Sequence, residues 1–174
     1  MAQQDIISTL PDAILCHILS FLQTKHAVAT TILSKRWKHL CHSVPVLCFD
    51  TTVTNQKEYI RFINFVYSVL LSRDPAFPIN TFHLDFTYYE YELHYPMDTI
   101  TKWVKFVAQR GLHYLDLHVN RRSSLDFTEL PVTIINYKTL VVLKLHSFSM
   151  EETSSPVDLP SLKTLDLDEI LCCS

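Results

Sequence analysis

The chain has 174 residues, 48% of them hydrophobic and 19% charged, with a formal net charge of −3. That composition belongs to a globular protein, and the weak negative balance supplies no general attraction for nucleic acid or an anionic membrane. A single glycine, Gly111, excludes glycine-rich phosphate loops, dinucleotide-binding folds and a Gly-x-Ser-x-Gly nucleophile elbow, all of which need several glycines.

The first forty residues carry the densest pattern. Leu10-Pro11-Asp12 opens a helix: proline suits the first helical turn and aspartate favours the positive end of the helix dipole. Ile14, Leu15, Ile18, Leu19 and Leu22 follow at helical spacing. Thr24 is positioned to cap a second helix through Ala27, Val28 and Ile32, and Ser34 a third through Trp37 and Leu40. Three such short helices carry more apolar surface than a unit of this size can hide, so a partner is expected. The basic turn Lys35-Arg36-Trp37-Lys38 reads as a solvated helical face.

LPDAILCHILSFL followed by TKHAVATTILSKRWKHL resembles an F-box, the module that recruits a substrate receptor to a cullin-based ubiquitin ligase. The form with SKRW and a proline-marked strand after it is most similar to plant F-box proteins with leucine-rich repeats, of the RNI-like and FBD type. The resemblance implies that residues 1–47 bind a Skp-type adaptor, and through it a cullin. Leu10, Pro11, Ile14, Leu15, Ile18, Leu22, Leu33 and Trp37 are then the expected adaptor-facing residues, because apolar and aromatic anchors dominate such interfaces.

After Pro45 the pattern changes. Val46, Cys48 and Val53 read as a short strand with Phe49 on the opposite face, and Asn55 with Glu58 resembles a capping box that starts a helix through Ile60, Ile63, Val66, Tyr67 and Leu70. Asp74-Pro75 stops that helix. Four segments then share one template: Ile79-x-x-Phe82-x-Leu84, Leu112-x-x-Leu115-x-Leu117, Leu140-x-x-Leu143-x-Leu145 and Leu162-x-x-Leu165-x-Leu167. Each resembles the strand signature of a leucine-rich repeat, at unequal intervals. Between the first two, Asp98 is placed to cap a helix through Ile100, Trp103, Val104 and Val107 that Gly111 stops; later returns shrink to Leu130-Pro131 and Leu159-Pro160. The expected fold is α+β to α/β: a three-helix F-box over residues 1–47, then a short, irregular solenoid over residues 48–174 with a curved parallel sheet. No polar capping helix follows Leu167 and Ile170-Leu171-Cys172, so a short form lacking the C-terminal part is expected.

Enzymatic chemistry has little support. His83, His94, His113, His118 and His146 are scattered beside repeat leucines, where half-exposed polar side chains belong, and Glu90 and Glu92 flank Tyr91 as solvated carboxylates. Arg121-Arg122-Ser123-Ser124 reads as a basic loop. His39, Cys41, His42 and Cys48 match no structural zinc spacing, and neither metal nor cofactor is expected. The five cysteines include no Cys-x-x-Cys and two are adjacent, which argues against a secreted disulfide framework. The N-terminus lacks a signal-peptide pattern and the apolar stretch 62–71 is too short to span a bilayer, so a cytoplasmic or nuclear location is expected. The expected role is a non-catalytic substrate-recognition subunit that holds an unknown protein target through its repeats; the alternative is a truncated, non-productive form that competes for the adaptor without delivering substrate.

Overall fold

Among the described residues of the computed structural model, six α-helices and six parallel strands form a helical module and a covered sheet. The structure describes residues 6–89, 96–122, 127–130, 137–151 and 157–173. Glu90, Tyr91, Glu92, His94, Ser123, Ser124 and Pro131 lie outside the described residues.

The helical module runs α1 (Ile6–Thr9), α2 (Asp12–Ser20), α3 (Thr24–Ala29), a 3-10 turn (Thr30–Ile32) and α4 (Lys35–Ser43). Pro11 sits just before α2 with ψ 148°, and Asp12 enters its first turn. Ser34 caps α4 as its sequence position suggests, accepting from the Trp37 N–H at 3.5 Å. Thr24 does not cap α3. Its hydroxyl oxygen accepts from the backbone N–H of Cys48 at 2.9 Å, so the residue ties the helices to the first strand. Leu15, Leu19, Ala27, Leu40, Cys41 and Val44 form the module's core.

The sheet contains β1 (Val46–Val53), β2 (Thr81–Tyr88), β3 (Tyr114–Arg121), β4 (Thr128–Glu129), β5 (Val142–Glu151) and β6 (Thr164–Cys173). Its order is β1-β2-β3-β5, with the two-residue β4 continuing the line of β3 beside β5 and β6 on the other side of β5. The repeat template becomes register here. Phe82, Leu115, Leu143 and Leu165 lie in one row across four strands, and Leu84, Leu117, Leu145 and Leu167 in the next. Leu47 and Phe49 begin the same two rows. The segment Val44-x-x-Leu47-x-Phe49 is therefore a first copy of the template, disguised in the sequence because Pro45 marks it as the exit of the helical module. On β1 it is Leu47, Phe49 and Val53 that are buried, so Val53 shares the Phe49 face rather than that of Val46 and Cys48.

Two helices cover the inward face: α5 (Gln56–Ser72) after β1 and α6 (Pro96–Ala108) after β2. Strand, crossover helix and parallel strand is the arrangement that buries such rows on one side. Asn55 accepts from the Glu58 N–H at 3.0 Å, while the Glu58 carboxylate accepts from the Thr54 N–H at 2.8 Å, which completes the start of α5. Asp98 lies in the first turn of α6, which starts at Pro96, rather than at its cap. Gly111 follows that helix with φ 81°, a left-handed conformation that glycine adopts without steric cost.

Ser147 and Glu169 interrupt β5 and β6 at matching positions with φ 65° and 52°. The Ser147 hydroxyl donates to the Glu169 carboxylate at 2.8 Å across this shared irregularity. One left-handed residue resets the alternation, so Phe148 faces inward and is fully buried although the earlier inward positions are odd-numbered. Both strands carry the irregularity, and the register resumes with Phe148 opposite Ile170.

Candidate functional site

The helical module holds together with few parts. Arg36 on α4 makes an ion pair with Asp12 at the start of α2 (2.6 Å) and donates to the Leu10 carbonyl, which fixes the two helices and the chain entering them. Cys16 lies half-buried with its sulfur 3.5 Å from the Ser43 hydroxyl, and burial raises the Cys41 thiol above its ordinary pKa, so both behave as small packing groups. Among the described residues no group of three His, Cys, Asp or Glu side chains is placed to hold a metal ion.

Outside this core several large apolar side chains stay exposed among polar and charged ones. Ile14 and Ile18 sit four residues apart on one face of α2, Leu22 continues the line beyond its end, and Leu33 stands beyond the 3-10 turn; all four are exposed. Leu10 and Trp37 are half-buried against the core, and Pro11 is exposed. Leu15 is a correction: at 0% exposure it belongs to the module's core and presents nothing to a partner. A helix turns about 100° per residue, so Ile14 and Leu15 point to adjacent but different faces. Phe21 (76% exposed) and Ile32 (88% exposed) belong among the outward apolar residues and are absent from the expected set. Phe21 falls on the face of Ile14 and Ile18 by helical spacing, a signal that the sequence does contain.

The module also docks onto the sheet. Besides the Thr24–Cys48 bond, Gln23 Nε2 donates to the Asp50 carboxylate at 3.0 Å, and the Arg73 guanidinium at the end of α5 donates to the Val44 carbonyl. The edge of β1 is thus occupied by groups from α3. Val28 packs against both hydrophobic cores.

The sheet face opposite α5 and α6 is polar. Cys48, His83, Asp116, Lys144 and Asp166 form one row, and Asp50, Asp85, His118, His146 and Asp168 the next. His83 lies 3.1 Å from Asp116, His118 3.5 Å from Asp85, His146 3.5 Å from Asp168, and Lys144 3.4 Å from Asp166. The hydrogen bond to Asp116 lifts the His83 pKa against the opposing effect of burial. Burial on its own would raise the Asp116 carboxyl, yet the His83 hydrogen bond and the nearby positive groups bring it below the ordinary range. Opposite-charge pairs of this kind stabilise adjacent strands.

A helical module closed by an Arg–Asp pair, faced with exposed aliphatics and followed by repeat strands, defines a two-part architecture. The F-box domain family matches residues 7–49. An Arabidopsis thaliana F-box/LRR-repeat protein is 40% identical over 170 residues, covering 95% of this chain and 34% of the relative. Another Arabidopsis protein, an FBD-associated F-box protein, is 34% identical over 97% of this chain and 35% of its own length, and an F-box/FBD/LRR-repeat protein is 38% identical over 96% and 35%. The chain carries an N-terminal F-box domain and is homologous over most of its length to these plant F-box proteins with leucine-rich repeats. It spans about a third of the length of the curated relatives it matches. No solved structure matches the chain.

Proposed function

We propose that the chain acts as a substrate-recognition subunit of a Skp–cullin–F-box ubiquitin ligase. The exposed aliphatics Ile14, Ile18, Leu22 and Leu33, outside a core that is already closed, are the observation that carries this reading. A Skp-type adaptor covers them, with Leu10, Pro11 and Trp37 at the margin, and links the chain to a cullin. The polar sheet face holds a protein target. The chain performs no covalent step; it raises the local concentration of target lysines at the conjugating enzyme.

A second reading is that the chain occupies adaptors without delivering a target. Pull-down of recombinant Skp-type adaptor by the full chain tests the shared part: Leu33→Asp abolishes capture while the melting temperature is kept. Capture unchanged in that variant overturns the adaptor reading. Reconstituted ubiquitination of proteins that co-purify with the chain separates the readings, since a receptor modifies them and a competitor does not.

A further inference from the structure

A cleft of about 330 Å³ lies where α4 of the helical module meets the end of α5. Its walls carry two cationic side chains, Lys38 and Arg73, the imidazole of His42 and three hydroxyls, Thr31, Ser68 and Ser72, and no carboxylate. Arg73 is the unusual member. It is 4% exposed, makes no ion pair with any described residue, and its Nε has no hydrogen-bond partner among them. Its described hydrogen bond goes to the Val44 carbonyl, a neutral acceptor. Burying a guanidinium without a counter-charge is costly, and folded proteins pair such groups. Burial takes the Arg73 pKa down to about 10, with Arg110 adding to that effect. His42 is likewise lowered, first by burial and further by Lys38, Arg73 and His39, while Asp12 and Asp74 line the adjoining cleft that shares His42 and Arg73.

The geometry points to a binding site for a small phosphate-bearing anion in this cleft, held by Arg73, Lys38 and His42 with the hydroxyls completing its coordination. Donor groups from both modules converge there, Lys38 and His42 from α4 and Arg73 and Ser72 from the end of α5, so a bound anion bridges the helical module and the sheet. The volume stands at the lower end of the range for small-molecule sites and has room for one or two phosphate groups. Ile14, Ile18 and Leu33 are not among its lining residues.

Calorimetric titration of the full chain with inorganic phosphate and with pyrophosphate, against sodium chloride at matched ionic strength, tests the site. Phosphate or pyrophosphate binds and raises the melting temperature, and chloride does not. Lys38→Ala with His42→Ala removes two donors to the anion and weakens binding by roughly a hundredfold. That double variant changes the wall of the cleft and keeps the buried Arg73, which makes it the deciding one if Arg73→Met fails to fold. Proton NMR of His42 gives a second readout: its pKa moves upward when the anion binds. No binding of either anion above chloride, or binding unaffected by the double variant, overturns the proposal and leaves Arg73 as a tie between α5 and Val44.

Discussion

The helical module and the sheet use similar apolar content for opposite ends. In the sheet, Phe82, Leu84, Leu115, Leu117, Leu143 and Leu145 are buried under α5 and α6, and the other face carries paired histidines, aspartates and a lysine. In the helical module six residues close a core, while Ile14, Ile18, Phe21, Ile32 and Leu33 face outward. The strand β6 adds a second kind of exposure. Leu165 (54% exposed) and Leu167 (48% exposed) continue rows that are buried in the neighbouring strands, so they are positions of the sheet's own core that lack cover. The outward residues of α2 belong to no buried row, and their helix already satisfies its own backbone. Exposure on β6 falls on a row of the sheet, and exposure on α2 falls on a helix face outside the module's core.

The largest effect that sharpens this contrast comes from the sheet. Phe82→Ala removes a fully buried ring packed 5.8 Å from that of Phe49, and a loss of about 3–5 kcal/mol of unfolding free energy is expected in a denaturant titration. A loss below about 1 kcal/mol would mean that the rows do not form one core. Next is the start of α5. Asn55→Ala deletes the acceptor for the Glu58 N–H and costs about 1 kcal/mol, read from the same titration, with no effect on adaptor capture.

The smallest effect concerns the polar face. His83 has a pKa raised above its ordinary 6.5, chiefly by its hydrogen bond to Asp116, with Asp85 and Asp50 adding to it. The raised value means that the folded state holds this proton more tightly than the unfolded chain. The stabilisation is complete below the unfolded value and disappears as pH rises through the folded one. The depressed Asp116 carboxyl acts at the other end: its contribution is present above the ordinary carboxylate range and lost as pH falls through it. The difference in stability between the protein and His83→Gln is therefore largest at about pH 5–6 and narrows above neutrality. Paired melts across that range measure it, and a difference that grows toward pH 8 would contradict the assignment.

Much of the fold is legible in the residues themselves. The repeat template marks the rows of β2, β3, β5 and β6, and Ser34, Asn55 and Gly111 mark helix ends, because each depends on local chemistry. The features that escape a sequence reading have non-local causes. Thr24 looks like a cap in sequence, but the N–H it serves belongs to Cys48 on a strand that only folding brings close. Ser147 and Glu169 carry no glycine to announce their left-handed backbone, and a bond across two strands holds them in place. Leu15 and Ile14 are both aliphatic at helical spacing; which of them faces the core depends on where α4 packs.

That last pair supplies the most direct test. Titration calorimetry of a recombinant Skp-type adaptor, with a melt of each variant, is applied to Ile14→Ala/Ile18→Ala and to Leu15→Ala. The double variant should melt within about 1 kcal/mol of the unaltered chain, since exposed substitutions cost little, and bind at least roughly thirtyfold more weakly. Leu15→Ala should cost about 2–5 kcal/mol of stability, with any loss of binding following from the unfolded fraction. If the double variant binds the adaptor as tightly as the unaltered chain, the outward face of α2 is not the recognition surface and the central claim fails.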